Sequence, residues 1–211
     1  MIVIPERGIY LASRSPRRRE LLSQIGVRYH LLLFRERPRP GGGEQELDEA
    51  PLAGEAPAAY VERMARAKAA AGWRRMLQRN LLPAPVLAAD TTVALAGRIL
   101  GKPRDRAEAA QILAALSGQR HEVLTAVALK NHDQVEFALS TSEVQMKKLS
   151  EDEIAQYVAG GEGDDKAGAY AIQGRAARFV VELRGSYSGV MGLPLYETSV
   201  LLDKLRGRSS H

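Results

Sequence analysis

The first 34 residues read strand, loop, helix, strand, and that order limits the fold more than any other feature of the chain. Apolar residues 9–12 suit a short buried strand. Ser13-Arg14-Ser15-Pro16 then offers turn and N-cap chemistry, with Pro near the first turn of a helix over residues 17–25. Gly26 closes that helix, and residues 29–34 form the next strand.

The remainder keeps the alternation. Residues 35–57 are rich in Pro, Gly and Glu without periodicity, which predicts a long, mobile loop. Tyr60, Val61, Met64, Ala65, Ala67, Lys68 and Ala71 fall on one broad face of a helix over 58–78, with Trp73 as a packing residue. Residues 86–89 make a buried strand ending at Asp90, and residues 93–95 continue extended to a turn at Ala96-Gly97. Asp105 caps a helix over 106–116 that Gly118 stops. Residues 122–129 and 135–146 alternate as an antiparallel pair around Asn131-His132-Asp133. Ser150 and Glu153 form a capping box for a helix to residue 159, followed by a Gly- and Asp-rich loop over 160–165. A strand at 179–183 and a helix at 194–205 end the series. This order predicts an α/β fold, a mixed twisted sheet flanked by helices, in which ligands bind outside strand ends. Ser13 to Arg18 and Asp90 fall in that kind of place. No repeat or long linker divides residues 1–211, so a single domain is expected.

Composition removes several function classes. There is no cysteine, hence no disulfide, thiolate ligand or Cys nucleophile. No apolar run approaches the roughly 20 residues of a membrane span, and no signal-peptide core is present, so a cytoplasmic protein without a membrane partner is expected. A net charge of +5 favours an anionic partner. Only 5% of residues are aromatic and few flank the arginine clusters, which argues against a stable nucleic-acid partner. His30, His121, His132 and His211 have no zinc-site spacing.

Several constellations carry chemistry. At Ser13 to Arg18, free backbone N–H groups, a helix dipole, two hydroxyls and two guanidinium groups converge, which suits a polyphosphate; the competing reading is an ordinary cap with surface arginines. The spacing is not that of a Walker A loop. Asp90 could bind a divalent cation or deprotonate a water, although a lone Asp more often caps a turn. Lys102, in Leu100-Gly101-Lys102-Pro103, could aim an ammonium at the same phosphates or simply be solvated. Asp164-Asp165-Lys166 followed by Gln173 offers groups for a base edge, or a loop with internal salt bridges.

Taken in order, Leu11-Ala12-Ser13-x-Ser15-Pro16-Arg17-Arg18, Arg63-Met64-Ala65 with Lys68-Ala69, Ala89-Asp90-Thr91, Gly101-Lys102-Pro103, Leu116-Ser117-Gly118 with His121-Glu122-Val123, Asp165-Lys166-Ala167-Gly168-Ala169-Tyr170, Ile172-Gln173-Gly174 and Gly192-Leu193-Pro194-Leu195 resemble the successive blocks of the Maf family of nucleotide pyrophosphatases. The resemblance implies two lobes around a central cleft, often a homodimer, a nucleoside triphosphate substrate and a divalent cation, Mg²⁺ or Mn²⁺. Asp90 matches the family's general base; Ser13, Arg17, Arg18, Lys68 and Lys102 match its phosphate-binding groups, with Ser15 and Lys166 beside them. Glu49, reached by counting back from Lys68, or else Glu36, matches an acidic position that with Asp90 would hold the metal. Arg17, Thr91 and Gln173 match the subgroup acting on dTTP and UTP, for which modified pyrimidine nucleotides are also conceivable substrates, rather than the subgroup acting on 7-methyl-GTP. The rival class is a non-enzymatic regulator or nucleic-acid-binding protein. The chain departs from the family pattern at Arg14, at an insertion over residues 34–46, at Ala171 and at Gly163-Asp164.

Overall fold

The computed structural model describes residues 8–33 and 47–208; the insertion over 34–46, and Glu36 with it, lies outside the described residues. In chain order the elements are β1 (Ile9–Leu11), α1 (Pro16–Gln24), β2 (Tyr29–Leu31), α2 (Pro57–Gln78), β3 (Val86–Leu95), β4 (Arg98–Leu100), α3 (Arg106–Leu116), β5 (Arg120–Asn131), β6 (Gln134–Met146), α4 (Glu151–Ala159), β7 (Val180–Arg184), α5 (Tyr187–Met191) and α6 (Leu195–Arg208). Short 3-10 turns at Ala167–Ala169 and Arg175–Phe179 fill the connection between α4 and β7.

The described strands form one mixed seven-stranded sheet in the order β2-β1-β3-β5-β6-β7, with β4 folded back on β3. β1 runs parallel to both β2 and β3, whereas β3, β5, β6 and β7 pair antiparallel. The expected α/β class with a mixed sheet and flanking helices is the observed one.

Three packed clusters surround the sheet. On one face α2 lays Val61, Ala65, Ala69, Trp73 and Met76 against Val86, Ala88, Ala126 and Ala128. On the other, Leu21 and Leu22 of α1 and Leu201 and Leu202 of α6 cover Leu11, Leu87 and Val127. Further along, α3 and α4 close over Val93, Val123 and Val144 with Tyr170 and Phe179. Alternation along β3 therefore assigns its even-numbered residues to α2 and Leu87 and Ala89 to α1 and α6. No helix among the described residues is long and apolar enough to cross a membrane.

One expectation about the site is corrected here. Asp90 does not end a strand: it lies in the middle of the ten-residue β3. What ends is β1, whose pairing with β3 stops at Leu11 opposite Leu87, while β4 does not pair until Val93. Residues 88–92 thus have β5 on one side and, among the described residues, no strand on the other. The strand end that opens the sheet is that of β1, and one edge of mid-β3 is left without a described neighbour because β1 is short. Residues 47–56, read as mobile, are instead pinned to α2: Arg63 binds both oxygens of Glu55 at 2.7 Å and donates to the Ala50 carbonyl at 3.1 Å. The sequence offered no sign of α5, a five-residue helix whose cap is Ser186.

Two features of the packing have measurable consequences. Gly72 of α2 packs closely against the sheet; a Cβ there would lie 2.8 Å from Val86 Cγ1 and 3.0 Å from the Ala12 Cβ. Gly72→Ala gains about 1 kcal/mol of helix propensity but overpacks a rigid β-branched neighbour at a cost of about 1–3 kcal/mol, so denaturant unfolding should show a net loss of about 1 kcal/mol. His121 is buried, its Nε2 lies 2.8 Å from the Tyr170 hydroxyl and its Nδ1 is buried without a partner among the described residues. Burial pushes its pKa down from 6.5 to about 4. The unfolded chain then binds the extra proton first, so this contribution is whole above pH 6.5 and is lost as pH falls toward about 4. The melting temperature of the wild type should fall more steeply across that interval than that of His121→Gln; equal slopes would show that His121 is not the group responsible.

Candidate active site

The turn from β1 into α1 builds the first wall of the site. Ser15 caps α1, its Oγ accepting from the Arg18 amide at 3.4 Å, and Ser13 Oγ accepts from the Ser15 amide at 3.2 Å. Pro16 at the first helical position removes one orphan donor and fixes the entry angle. The cap turns Arg17 and Arg18 into the cleft. Arg18 is held at three nitrogens: Nε donates to the Gly192 carbonyl at 2.7 Å, Nη2 to Thr91 Oγ1 at 3.3 Å and Nη1 to Ser13 Oγ at 3.5 Å. The reading of surface arginines therefore fails for Arg18. Burial lowers the pKa of both guanidinium groups, with Asp90 and Glu49 opposing the shift at Arg18.

The second wall is the stretch of β3 paired on one side only, with the face of α2 across from it. Lys68, three turns into α2, places Nζ 2.6 Å from Asp90 Oδ1 and 2.9 Å from Glu49 Oε1. One ammonium thus bridges two carboxylates that would otherwise repel. Burial opposes ionisation of Glu49, but the Lys68 hydrogen bond and the charges of Lys68, Lys102 and Arg18 outweigh it and hold its pKa below the ordinary carboxylate range. Tyr60 completes the arrangement by donating its hydroxyl to the Glu49 carbonyl at 2.9 Å. Burial, reinforced by Asp90 and Glu49, pushes the Tyr60 phenol up to about 12, so it remains a donor.

The third wall comes from the second half of the chain. Lys102 follows β4, and Lys166 and Gln173 flank the 3-10 turn beneath them. Lys166 contacts the neighbouring Asp165, so an internal salt bridge exists as the bland reading of this loop supposed. Burial, with Arg17 and Lys102 nearby, lowers the Lys166 pKa. Ala171 is buried and its amide donates to the Tyr157 hydroxyl at 3.1 Å, anchoring the turn that carries exposed Gln173.

These walls enclose one open cleft of about 1610 Å³. Ser13, Ser15, Arg17, Arg18, Glu49, Lys68, Asp90, Thr91, Lys102, Lys166 and Gln173 all line it, so every named site residue within the described chain is brought to one place. Pockets for small ligands commonly measure about 300–1,000 Å³, which leaves room here for a complete nucleotide with its phosphates. Cationic groups from α1, α2, the 102 turn and the 166 loop dominate a floor that carries two close carboxylates. Among the described residues no group of three or more His, Cys, Asp or Glu could hold a metal by itself. Tyr60 and Gly192 were not singled out from the sequence as site residues. Tyr60 was hidden in an apolar stripe, and Gly192 was only part of a motif, although its left-handed φ of 114° at the α5 C-cap is what a glycine at a helix end signals.

The sequence profile of the Maf-like protein family matches residues 8–205. A relative from Nitrosomonas europaea, named dTTP/UTP pyrophosphatase, is 56% identical over 205 residues, covering 97% of each chain. Relatives of the same name from Dechloromonas aromatica (55% identical, 93% of this chain and 96% of the relative) and Aromatoleum aromaticum (57%, 92% and 94%) agree with it. Because the matched span takes in every wall of the cleft, from the Ser13 turn to Gly192, the chain belongs to the Maf family.

Proposed function

We propose that this protein hydrolyses dTTP and UTP, and modified pyrimidine triphosphates of the same shape, to the monophosphate and pyrophosphate. The observation that carries this reading is that the Lys68-bound carboxylate of Asp90 and the anchored guanidinium of Arg18 share one cleft. The names of the near-full-length relatives support the substrate pair.

In this reading the triphosphate lies along α1, where the Ser13 to Arg18 turn presents a helix N-terminus and Arg18 the free edge of its guanidinium. Arg17, Lys102 and Lys166 oppose the remaining negative charge. Asp90 accepts the proton of a water placed for in-line attack at the α-phosphorus, and pyrophosphate leaves. Lys68 keeps the Asp90 carboxylate oriented and couples it to Glu49. The two carboxylates fit a Mg²⁺ or Mn²⁺ ion, because Mg²⁺ commonly uses one or two protein carboxylates and completes its shell with water and substrate phosphate oxygens. Bound there, the cation supplies charge neutralisation of the phosphates. Gln173 has both donor and acceptor groups for a pyrimidine edge, and Thr91 steadies Arg18. A cysteine-free chain suits the reducing cytoplasm, where these nucleotides are found.

Two measurements test the reading. Incubation with Mg²⁺ and a panel of ordinary and modified triphosphates should give pyrophosphate fastest from dTTP, UTP or a modified pyrimidine; preference for 7-methyl-GTP would overturn the substrate assignment. Asp90→Asn keeps the shape and removes the base, so turnover should fall by a factor on the order of 10² or more. Near-normal pyrophosphate release by that variant would remove Asp90 from the role.

A further inference from the structure

We infer that Thr125, a buried residue of β5 that stands behind cleft-lining Thr91 without lining the cleft itself, is a positioning residue for Arg18. This rests on the phosphate-binding role proposed above for Arg18. Thr125 is fully buried, and it stands directly opposite Thr91 in the pairing of β3 with β5. The two hydroxyls lie 2.9 Å apart, and Thr125 Oγ1 also donates to the Gly189 carbonyl at 2.8 Å.

Proton counting gives this array a direction. A threonine hydroxyl has one proton to donate. The Thr125 proton is used on the Gly189 carbonyl, so the bond between the two threonines is donated by Thr91. With its own proton committed, Thr91 Oγ1 meets Arg18 Nη2 as an acceptor, which is the only role a guanidinium allows its partner. The chain therefore runs one way, from Arg18 through Thr91 and Thr125 to Gly189. It also closes on itself. The Gly192 amide donates to the Gly189 carbonyl at 2.9 Å, and the Gly192 carbonyl accepts from Arg18 Nε at 2.7 Å. The C-terminal turn of α5 is thus bound to the same arginine by two routes, one direct and one through the sheet.

This ring orients the guanidinium plane. Three of its five N–H groups are taken by Gly192, Thr91 and Ser13, and the remaining one on each Nη is left for a phosphate oxygen. Without the Thr125 acceptor, nothing holds the Thr91 hydroxyl proton away from the guanidinium, and the lone pair that Nη2 meets is no longer fixed in direction. Charge-assisted, preorganised hydrogen bonds act on the charge that develops during phosphoryl transfer, so misorientation reads out in catalysis more than in folding.

The test is a double-mutant cycle of Thr125→Val with Arg18→Lys, read as kcat/KM for pyrophosphate release from the best substrate of the wild type, beside the affinity of each protein for inorganic tripolyphosphate. Thr125→Val should lower kcat/KM about 10-fold and weaken tripolyphosphate binding in the parent, yet change either by no more than about 2-fold once Arg18→Lys has removed the fork. Thr125→Ser, which keeps the hydroxyl, should restore most of the loss. Equal losses from Thr125→Val in both backgrounds, or no rescue by Thr125→Ser, would overturn the inference. If Thr125→Val fails to fold, Thr125→Ala carries the same cycle. Tripolyphosphate binding keeps the outcomes separable: loss of nucleotide hydrolysis in the wild type would defeat the proposed activity, whereas an additive cycle would defeat only the role of Thr125.

Discussion

The site exists because β1 is short. Its pairing with β3 ends at Leu87, and β4 returns to β3 only at Val93, so along five residues of a central strand one edge has no described strand beside it. A sheet interior is normally covered on both edges of each strand, and a gap of this kind gives polar side chains a way out of a hydrophobic layer. Asp90 and Thr91 occupy the gap and leave it on alternate faces, Asp90 toward Lys68 of α2 and Thr91 toward Arg18 of α1. The chain that leaves β1 is the Ser13 to Arg18 turn, which therefore lands beside the residues that the end of β1 uncovers.

Placing so much charge in one cleft requires pairing within it. Lys68 pairs with two carboxylates at once, and Tyr60, Arg63 and Glu55 hold the segment that delivers one of them. Arg63 with Glu55 acts at the surface of α2 and binds through two parallel hydrogen bonds, the geometry in which an arginine–carboxylate pair is most directional. Opposite them, the cations of α1 and of the 102 and 166 turns remain in excess, and burial, reinforced by the charges of Arg17 and Lys102, lowers the pKa of Lys166. The balance is that of a site prepared for a polyanion and for attack upon it.

Much of the local structure was legible in the residues. The Ser15 cap with Pro16, the Asp105 cap, the Ser150–Glu153 capping box and the turn between β5 and β6 lie where short-range chemistry requires them. Caps and turns are decided within four residues, and so can be read from four residues. Two readings failed for the opposite reason. Residues 47–56 looked mobile because their composition is loop-like, but Arg63 and Tyr60, eight or more residues downstream, hold them. Asp90 looked like a strand terminus because the apolar run over residues 86–89 stops there, but β5 supplies continuous pairing from Val86 to Ala94.

The sequence alone settled the class of fold, the cap that starts the first helix just before Arg17 and Arg18, and the polar residue types that line the cleft. These are consequences of period, propensity and charge, which act over neighbouring positions. The tertiary structure alone decided which groups face one another: that Lys68 bridges Glu49 and Asp90, that Gly192 returns 174 residues later to bind Arg18, and that Thr125 stands behind Thr91. Such pairings depend on strand register and on where a neighbouring strand stops, and both are fixed by packing between segments far apart in the chain.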